Sequence, residues 1–318
     1  MNDKLVLNKM DFKTYSHLQV NEKRISDRDG DLYNGAKLLL DDRIFVSTEL
    51  TEQPKFEMID NWNVVSNSYV VNENEKAEMR INIDRKSVVK QKFHIKKDSE
   101  LKLYLICDLE DESLLMDVEF VLEENAELTF VPMILKGKSV YINIRYNLNG
   151  DNAKIHMESA YFALKNSDYD ILLTCTHRGK NTESLLNQNG ILDRGAQKSY
   201  KYVLDFVRGC NESKGEENET ILTLTEDFSN TTVPVLLVGE DDIEASHGST
   251  IGPLDEAVMD YLLSRGLPPN FSALYAMQSY FQPALDSMPR DIHDELAKRI
   301  EEIWTQRKEG DLCLTRIN

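Results

Sequence analysis

The 318-residue chain has no C-x-x-C pair, no excess of basic charge and no apolar run of the length, about eighteen residues, that a membrane-spanning helix requires. Its four cysteines, Cys107, Cys175, Cys210 and Cys313, lie far apart. That spacing excludes a dense disulfide framework and a zinc or cluster cage written locally. Lys and Arg number 37 against 55 Asp and Glu, a net charge of −18. Nucleic acid and anionic membrane surfaces, which need clustered basic side chains, are therefore not expected partners. There is no G-x-x-x-x-G-K-[S/T], so no P-loop cradles a nucleotide. G-x-S-x-G and H-E-x-x-H are also missing, and the six histidines are scattered. The expectation is a non-enzymatic protein that binds no nucleotide. The opening Met-Asn-Asp-Lys-Leu lacks the pattern of a secretory leader, which predicts a cytoplasmic location.

What is present falls into four stretches: 1–60, 61–250, 251–309 and 310–318. Residues 1–60 mix polar turns with short apolar runs, Ala36 to Leu40 and Ile44 to Val46, and are expected to form a small N-terminal region. From 61 to 250 the pattern is period-two alternation, as in Leu101, Leu103, Leu105, then Val118, Phe120, Leu122, then Val140, Ile142, Ile144. Corners of one kind recur between these strands: Asn125-Ala126, Asn152-Ala153 and Gly195-Ala196. Each begins with a residue suited to left-handed backbone. The pattern leaves a sandwich or barrel in competition with a β-helix. The recurrent corners and the scarcity of Asn-Gly or Asp-Gly hairpins favour the β-helix.

After Pro253 the apolar period changes to about 3.6. Leu254, Val258, Tyr261 and Leu262 share one face of a helix expected over 254–265, stopped by Gly266, Pro268 and Pro269. Two more helices are expected over 271–286 and 290–308, the last with a stripe of Leu296, Ile300 and Ile303. Residues 310–318 read as a tail.

The abrupt change from strands to helices carries one histidine, in Ala245-Ser246-His247-Gly248-Ser249-Thr250-Ile251-Gly252-Pro253. Together with Thr176-His177, Asn181-Thr182-Glu183-Ser184, Gly190-Ile191-Leu192-Asp193, Ser213-Lys214-Gly215 and Leu222-Thr223-Leu224, this segment resembles the SufB/SufD family of the Suf iron–sulfur cluster assembly system. The likeness is greatest on the SufD side. It implies a mainly β fold, a right-handed parallel β-helix core followed by a helical domain. It implies further that His247 is a cluster ligand or assembly residue at an interface with a SufB-like chain, for a cluster held transiently and shared. The cysteine of SufB, four residues after the proline and nine before the histidine, is replaced here by Val238. In the family the C-terminal helices dock the SufC ATPase, which makes Asp255, Glu256, Tyr261 and Arg265 the candidate partner-binding residues.

A neutral imidazole is a competent iron ligand, and one in place of a cysteine thiolate donates less charge and releases a cluster more easily. Cys175 and His177, two apart on a strand, are a second pair of candidate metal ligands. Ile171 and Leu173 share their face, so an inert buried thiol beside a hydrogen-bonded histidine is the favoured reading. Cys107 continues an apolar face and reads as core, whereas the turn around Cys210 leaves that thiol open to solvent. Two alternatives stand beside the SufD-like reading: a homodimeric iron or cluster carrier meeting a second copy at His247, and a β-helix carbohydrate-active enzyme.

Overall fold

The computed structural model describes residues 4–12, 20–41, 46–47, 50, 54 and 56–306. Ile44 and residues 310–318, Cys313 included, lie outside the described residues. From Trp62 to Gly252 the chain is a parallel β-helix whose successive strands alternate between two sheets. The first sheet is built from β5 (Trp62–Val71), β7 (Ser87–Ile95), β9 (Ser113–Leu122), β11 (Ser139–Leu148), β13 (Asp168–His177), β15 (Ala196–Phe206) and β17 (Phe228–Val238). The second is built from β6 (Lys76–Ile83), β8 (Glu100–Asp108), β10 (Glu127–Lys136), β12 (Lys154–Ala163), β14 (Glu183–Leu192), β16 (Ser213–Thr223) and β18 (Ile243–Gly252). Neighbours within each of these two series pair in parallel, which decides against the sandwich and the barrel.

Period-two alternation forms these strands because one set of side chains points between the sheets, where each coil covers the one before it. The three alternating runs read from the sequence are all buried there. Paired residues stack in columns: Tyr69, Phe93, Phe120 and Tyr146 lie ring on ring with centroids 5.0, 5.1 and 5.4 Å apart. That spacing is close to the distance between strands, about 4.8 Å, so each ring rests on the next. The step from Phe93 to Phe120 is 27 residues, and from Leu204 to Leu236 it is 32, which is why no single repeat length is visible in the sequence.

The corners adopt the expected backbone, with φ of 54° at Asn125, 60° at Asn152 and 69° at Gly195. Asp98, Asn125, Asn152 and Asn181 also stack: Asn125 Nδ2 donates to Asp98 Oδ1 (2.6 Å), Asn152 Nδ2 to Asn125 Oδ1 (2.9 Å) and Asn181 Nδ2 to Asn152 Oδ1 (2.7 Å). An amide both donates and accepts, so a column of them satisfies itself along the helix axis.

Two further groups of elements cover the outer faces. Strands β1 (Lys4–Leu7) and β2 (Lys23–Ser26) form an antiparallel ribbon, and α1 (Asp31–Leu40) sets Tyr33, Ala36 and Leu39 against Trp62, Val88 and Leu115 of the first sheet. Short strands β3 (Val46–Ser47) and β4 (Glu57–Ile59) pair along β5. Asn8 and Lys201 both donate to the buried carboxylate of Asp170, each at 2.7 Å, and the lysine compensates its charge under the N-terminal segment.

Helices α2 (Glu256–Ser264), α3 (Pro269–Asp286) and α4 (Arg290–Gln306) follow the last coil. Met277, Phe281, Leu296, Ile300 and Ile303 pack on Val131, Met133 and Phe162 of the second sheet. Bidentate Arg80–Glu295 (2.8 and 2.7 Å) and Arg299–Asp108 (2.5 Å) tie α4 to β6 and β8. Pro269 opens α3 instead of only closing what precedes it, since proline at the first helical position loses no hydrogen bond. The apolar stripe expected on α2 is not a buried face. Met259 alone is buried there, while Val258 is 46% and Tyr261 57% exposed, because α2 sits beyond the last strand with no sheet beneath that side.

Candidate functional site

The interior of the β-helix changes character toward its C-terminal end. The column Met79, Leu103, Phe130, Met157, Leu186 in the second sheet is apolar, but its next member in β16 is Glu217 and its last, in β18, is His247. The neighbouring column ends Gln188, Glu219, Ser249. Across from these, β15 contributes Lys198, Tyr200 and Tyr202, and β17 contributes Asn230, Thr232 and Pro234. An apolar core thus closes with two polar coils.

Strands β17 and β18 are the outermost strands of their sheets, and no described strand pairs beyond them. Side chains that would be interior one coil earlier are open here: Leu236 is 40%, Val238 56% and Ile251 44% exposed. His247 is exposed for the same reason. It sits on the inward face of β18, as the next inward residue shows: Ser249 Oγ donates to the buried carboxylate of Glu219 at 3.3 Å. The imidazole is therefore held over the open end of the interior, directly above Glu217 in register.

The two buried carboxylates differ sharply. Glu219 bonds to Lys198 and accepts from Thr232 (2.7 Å) and Ser249, so its charge is compensated. Burial pushes the Lys198 ammonium down, and Glu219 pushes it back up. Glu217, with no exposed surface, has neither carboxylate oxygen in a hydrogen bond. Burial raises its carboxyl to about 8; the nearby Tyr202 hydroxyl and Lys198 favour the charged form, and Glu219 opposes it. Tyr200 and Tyr202 likewise have buried hydroxyls without partners.

Glu217 was not among the residues expected from sequence, because one acid among so many carries no motif. The signal that finds it is positional: Ser213, Gly215, Glu217, Glu219 and Ile221 are the inward set of β16, and glutamate is out of place there.

Cys175 and His177, on β13, are buried in the same interior two coils below its open end. His177 is stacked on Phe206 (4.4 Å), and its nitrogens meet Thr182 Oγ1 at 2.7 Å and Ser184 Oγ at 3.0 Å. Burial lowers this imidazole to about 4 and raises the Cys175 thiol to about 12, so the ring is neutral and the thiol protonated at neutral pH, and both ring nitrogens already meet hydroxyls in a position closed to solvent. Cys107 is buried as expected, and burial pushes its thiol well up. Cys210 is buried as well, contrary to the open position expected: Gly209, at φ 103°, turns the chain so that the thiol enters the core and the hydroxyl-bearing Ser213 follows.

On α2, Asp255 caps the helix by accepting from the Ala257 amide (2.8 Å), and Glu256 stands in the first turn, where the helix dipole favours a carboxylate. Arg265 lies over the Tyr261 ring at 5.1 Å. Phe271 and Tyr275 of α3, the helix packed against α2, are 51% and 53% exposed.

Among the described residues no three His, Cys, Asp or Glu side chains converge closely enough to hold a metal ion. The described residues by themselves offer no complete ligand set, and an exposed imidazole at an open end fits a single-ligand contribution. No helix among the described residues is long and apolar enough to cross a membrane.

Residues 63–273 match the family model described as SUF system FeS cluster assembly, SufBD core domain. Among curated proteins, the iron-sulfur cluster assembly protein SufD of Bacillus subtilis is 26% identical over 113 residues, 36% of this chain and 26% of that protein. An iron-sulfur cluster assembly SufBD family protein of Mycobacterium bovis is 24% identical over 154 residues, 48% of this chain and 18% of the relative. One from Staphylococcus epidermidis is 23% identical over 178 residues, 56% of this chain and 38% of the relative. The chain therefore aligns with well under half the length of each of these relatives. The matched span runs from the first full coil through β18 into α3, and takes in His247, Glu217 and the polar coils that hold them. On that match, this chain belongs to the SufBD family of iron–sulfur cluster assembly proteins.

Proposed function

We propose that the chain is a SufD-like, non-catalytic subunit of a cytoplasmic iron–sulfur assembly scaffold. It pairs through its open β-helix end with a SufB-like chain and supplies His247 to a cluster site shared between the two. The observation that carries this reading is the place of His247: an inward-facing imidazole in the last coil, with no described strand of its own chain above it. Unpaired strand edges are reactive surfaces, and a second chain that extends the two sheets satisfies their backbone groups while covering Leu236, Val238 and Ile251. Val238 in place of the SufB-type cysteine leaves thiolate ligation to the partner.

The exposed apolar side chains of α2 and α3 support a second contact, with the SufC ATPase. Val258, Tyr261, Phe271 and Tyr275 form a surface of the kind that marks protein interfaces. Nucleotide then acts on this chain only through that partner. ATP-driven movement of the helices shifts the β-helix end against its neighbour, opening or closing the shared site.

Co-purification with the SufC and SufB of the same organism tests the reading, with wild type and His247→Ala compared by anaerobic iron and sulfide analysis. The wild-type complex is expected to form and carry cluster, and the variant complex to form with several-fold less. An unchanged cluster content would leave His247 a structural residue, and failure to bind either partner would overturn the reading.

A further inference from the structure

Glu217 is the one fully buried acid in the polar coils with neither carboxylate oxygen in a hydrogen bond to a described residue. Its column neighbour below is Leu186, which fills the equivalent inward position without electrostatic cost. Glu219, two residues along the same face, shows what a satisfied carboxylate looks like here: a lysine and two hydroxyls converge on it. The ammonium of Lys198 donates to Glu219 and Thr232 and makes no hydrogen bond to Glu217, which it reaches only through its charge. Above Glu217, among the described residues, stands His247, on the adjacent strand and the same face, which makes no hydrogen bond to any described residue.

Side chains of paired residues rise from backbones about 4.8 Å apart. A carboxylate and an imidazole so placed can close on one ion at ordinary coordination distances of about 2.0–2.2 Å. We infer that Glu217 and His247 together bind a divalent iron ion at the open end of the β-helix, with the remaining positions left to solvent or to the partner chain. Resting on the shared-site reading above, this narrows it. The cargo that this chain receives is a single ferrous ion, and its first ligands are one nitrogen and one oxygen from successive coils. An imidazole–carboxylate pair suits a divalent first-row metal, whereas a preformed cluster calls for sulfur donors. The unpartnered carboxyl is then a vacant ligand position, and the ion supplies the charge that the buried acid lacks.

Anaerobic titration of the isolated full-length chain with Fe(II), in competition with a chromophoric chelator, tests this directly. Wild type, Glu217→Gln, His247→Ala and the control Glu127→Gln, an exposed acid on the outer face of β10, are compared. Co(II), whose visible bands report the donor set, provides a second probe. Wild type and control are expected to hold one Fe(II) per chain, with affinity at least tenfold above that of either site variant. The Co(II) spectrum is expected to change in both site variants. Glutamine preserves the shape of Glu217 and removes a buried acid that has no hydrogen-bond partner, so the Glu217→Gln chain is expected to melt no lower than wild type. A merely structural carboxylate would instead lower its melting temperature.

Equal Fe(II) affinity in wild type and Glu217→Gln, or no binding above that of His247→Ala, overturns the inference. Cluster on the wild-type SufB–SufC complex together with no Fe(II) on the isolated chain would leave the scaffold reading standing and remove only this one. Tight Fe(II) binding lost in both variants, with no complex formed, would do the reverse.

Discussion

At the scale of single residues, inward positions of the β-helix carry unequal demands, and the polar ones decide the chemistry. His177 is the clearest case. The folded chain keeps its imidazole neutral down to about pH 4, while an unfolded chain takes up the proton near its ordinary value of 6.5. Between those limits the unfolded state binds more protons. Stability from this residue is therefore complete above about pH 6.5 and is lost as pH falls toward 4, by on the order of 3 kcal/mol. Thermal melts of wild type and His177→Gln from pH 7 to 4 should converge on acidification. Parallel curves over that window would show that the imidazole is not buried as described.

His247 was legible in the sequence because a family motif surrounds it. Glu217 was not, since it lies between Glu216 and Asn218 in a stretch that reads as a solvated strand. Its meaning depends on which way an alternating strand faces, and register fixes that only after the coils have closed. The burial of Cys210 was hidden for a related reason: whether a corner side chain turns inward depends on the backbone of Gly209, not on the residue's own type.

At the scale of elements, corners and strands divide the work. Strands bury the columns, and the corners hold the coils in register through the Asp98, Asn125, Asn152, Asn181 ladder. Asn152 is both a donor and an acceptor in that ladder and has left-handed backbone. Asn152→Ala loses two side-chain bonds and meets the steric cost of that backbone, and should destabilise the chain by about 1–3 kcal/mol. Urea unfolding measures it, and a change below about 0.5 kcal/mol would mean that the ladder follows the fold without supporting it. The Asn-Ala and Gly-Ala corners were visible in the sequence because left-handed backbone narrows the choice of residue. The helices were visible through their period. The exposed side of α2 was not, because an apolar stripe has the same period whether its cover comes from the same chain or from another.

At the scale of the whole molecule, the β-helix has unequal ends. Its first coils are flanked by β3, β4 and α1, and its last coil is flanked by nothing described on the edge that carries His247. Parallel β-helices lengthen by adding coils, so an end with a polar interior, edges that no described strand pairs and exposed Leu236, Val238 and Ile251 fits the proposed docking of another chain. The net charge of −18 bears on what approaches the chain: a metal cation is attracted, and a nucleic acid is repelled. Choosing between a β-helix and a sandwich needed the resemblance as well as the pattern, because alternation fixes which side of a strand is buried but not which strand lies beside it.

The most direct measurement is hydrogen exchange of the isolated chain against its complex with the SufB-like partner. The amides of β17 and β18 that point away from their inner neighbours should exchange quickly in the free chain and slow by at least tenfold in the complex, in the same peptides that contain Val238 and His247. A complex that forms while those amides stay fast, with protection appearing elsewhere, would contradict the assignment of the open β-helix end as the shared site.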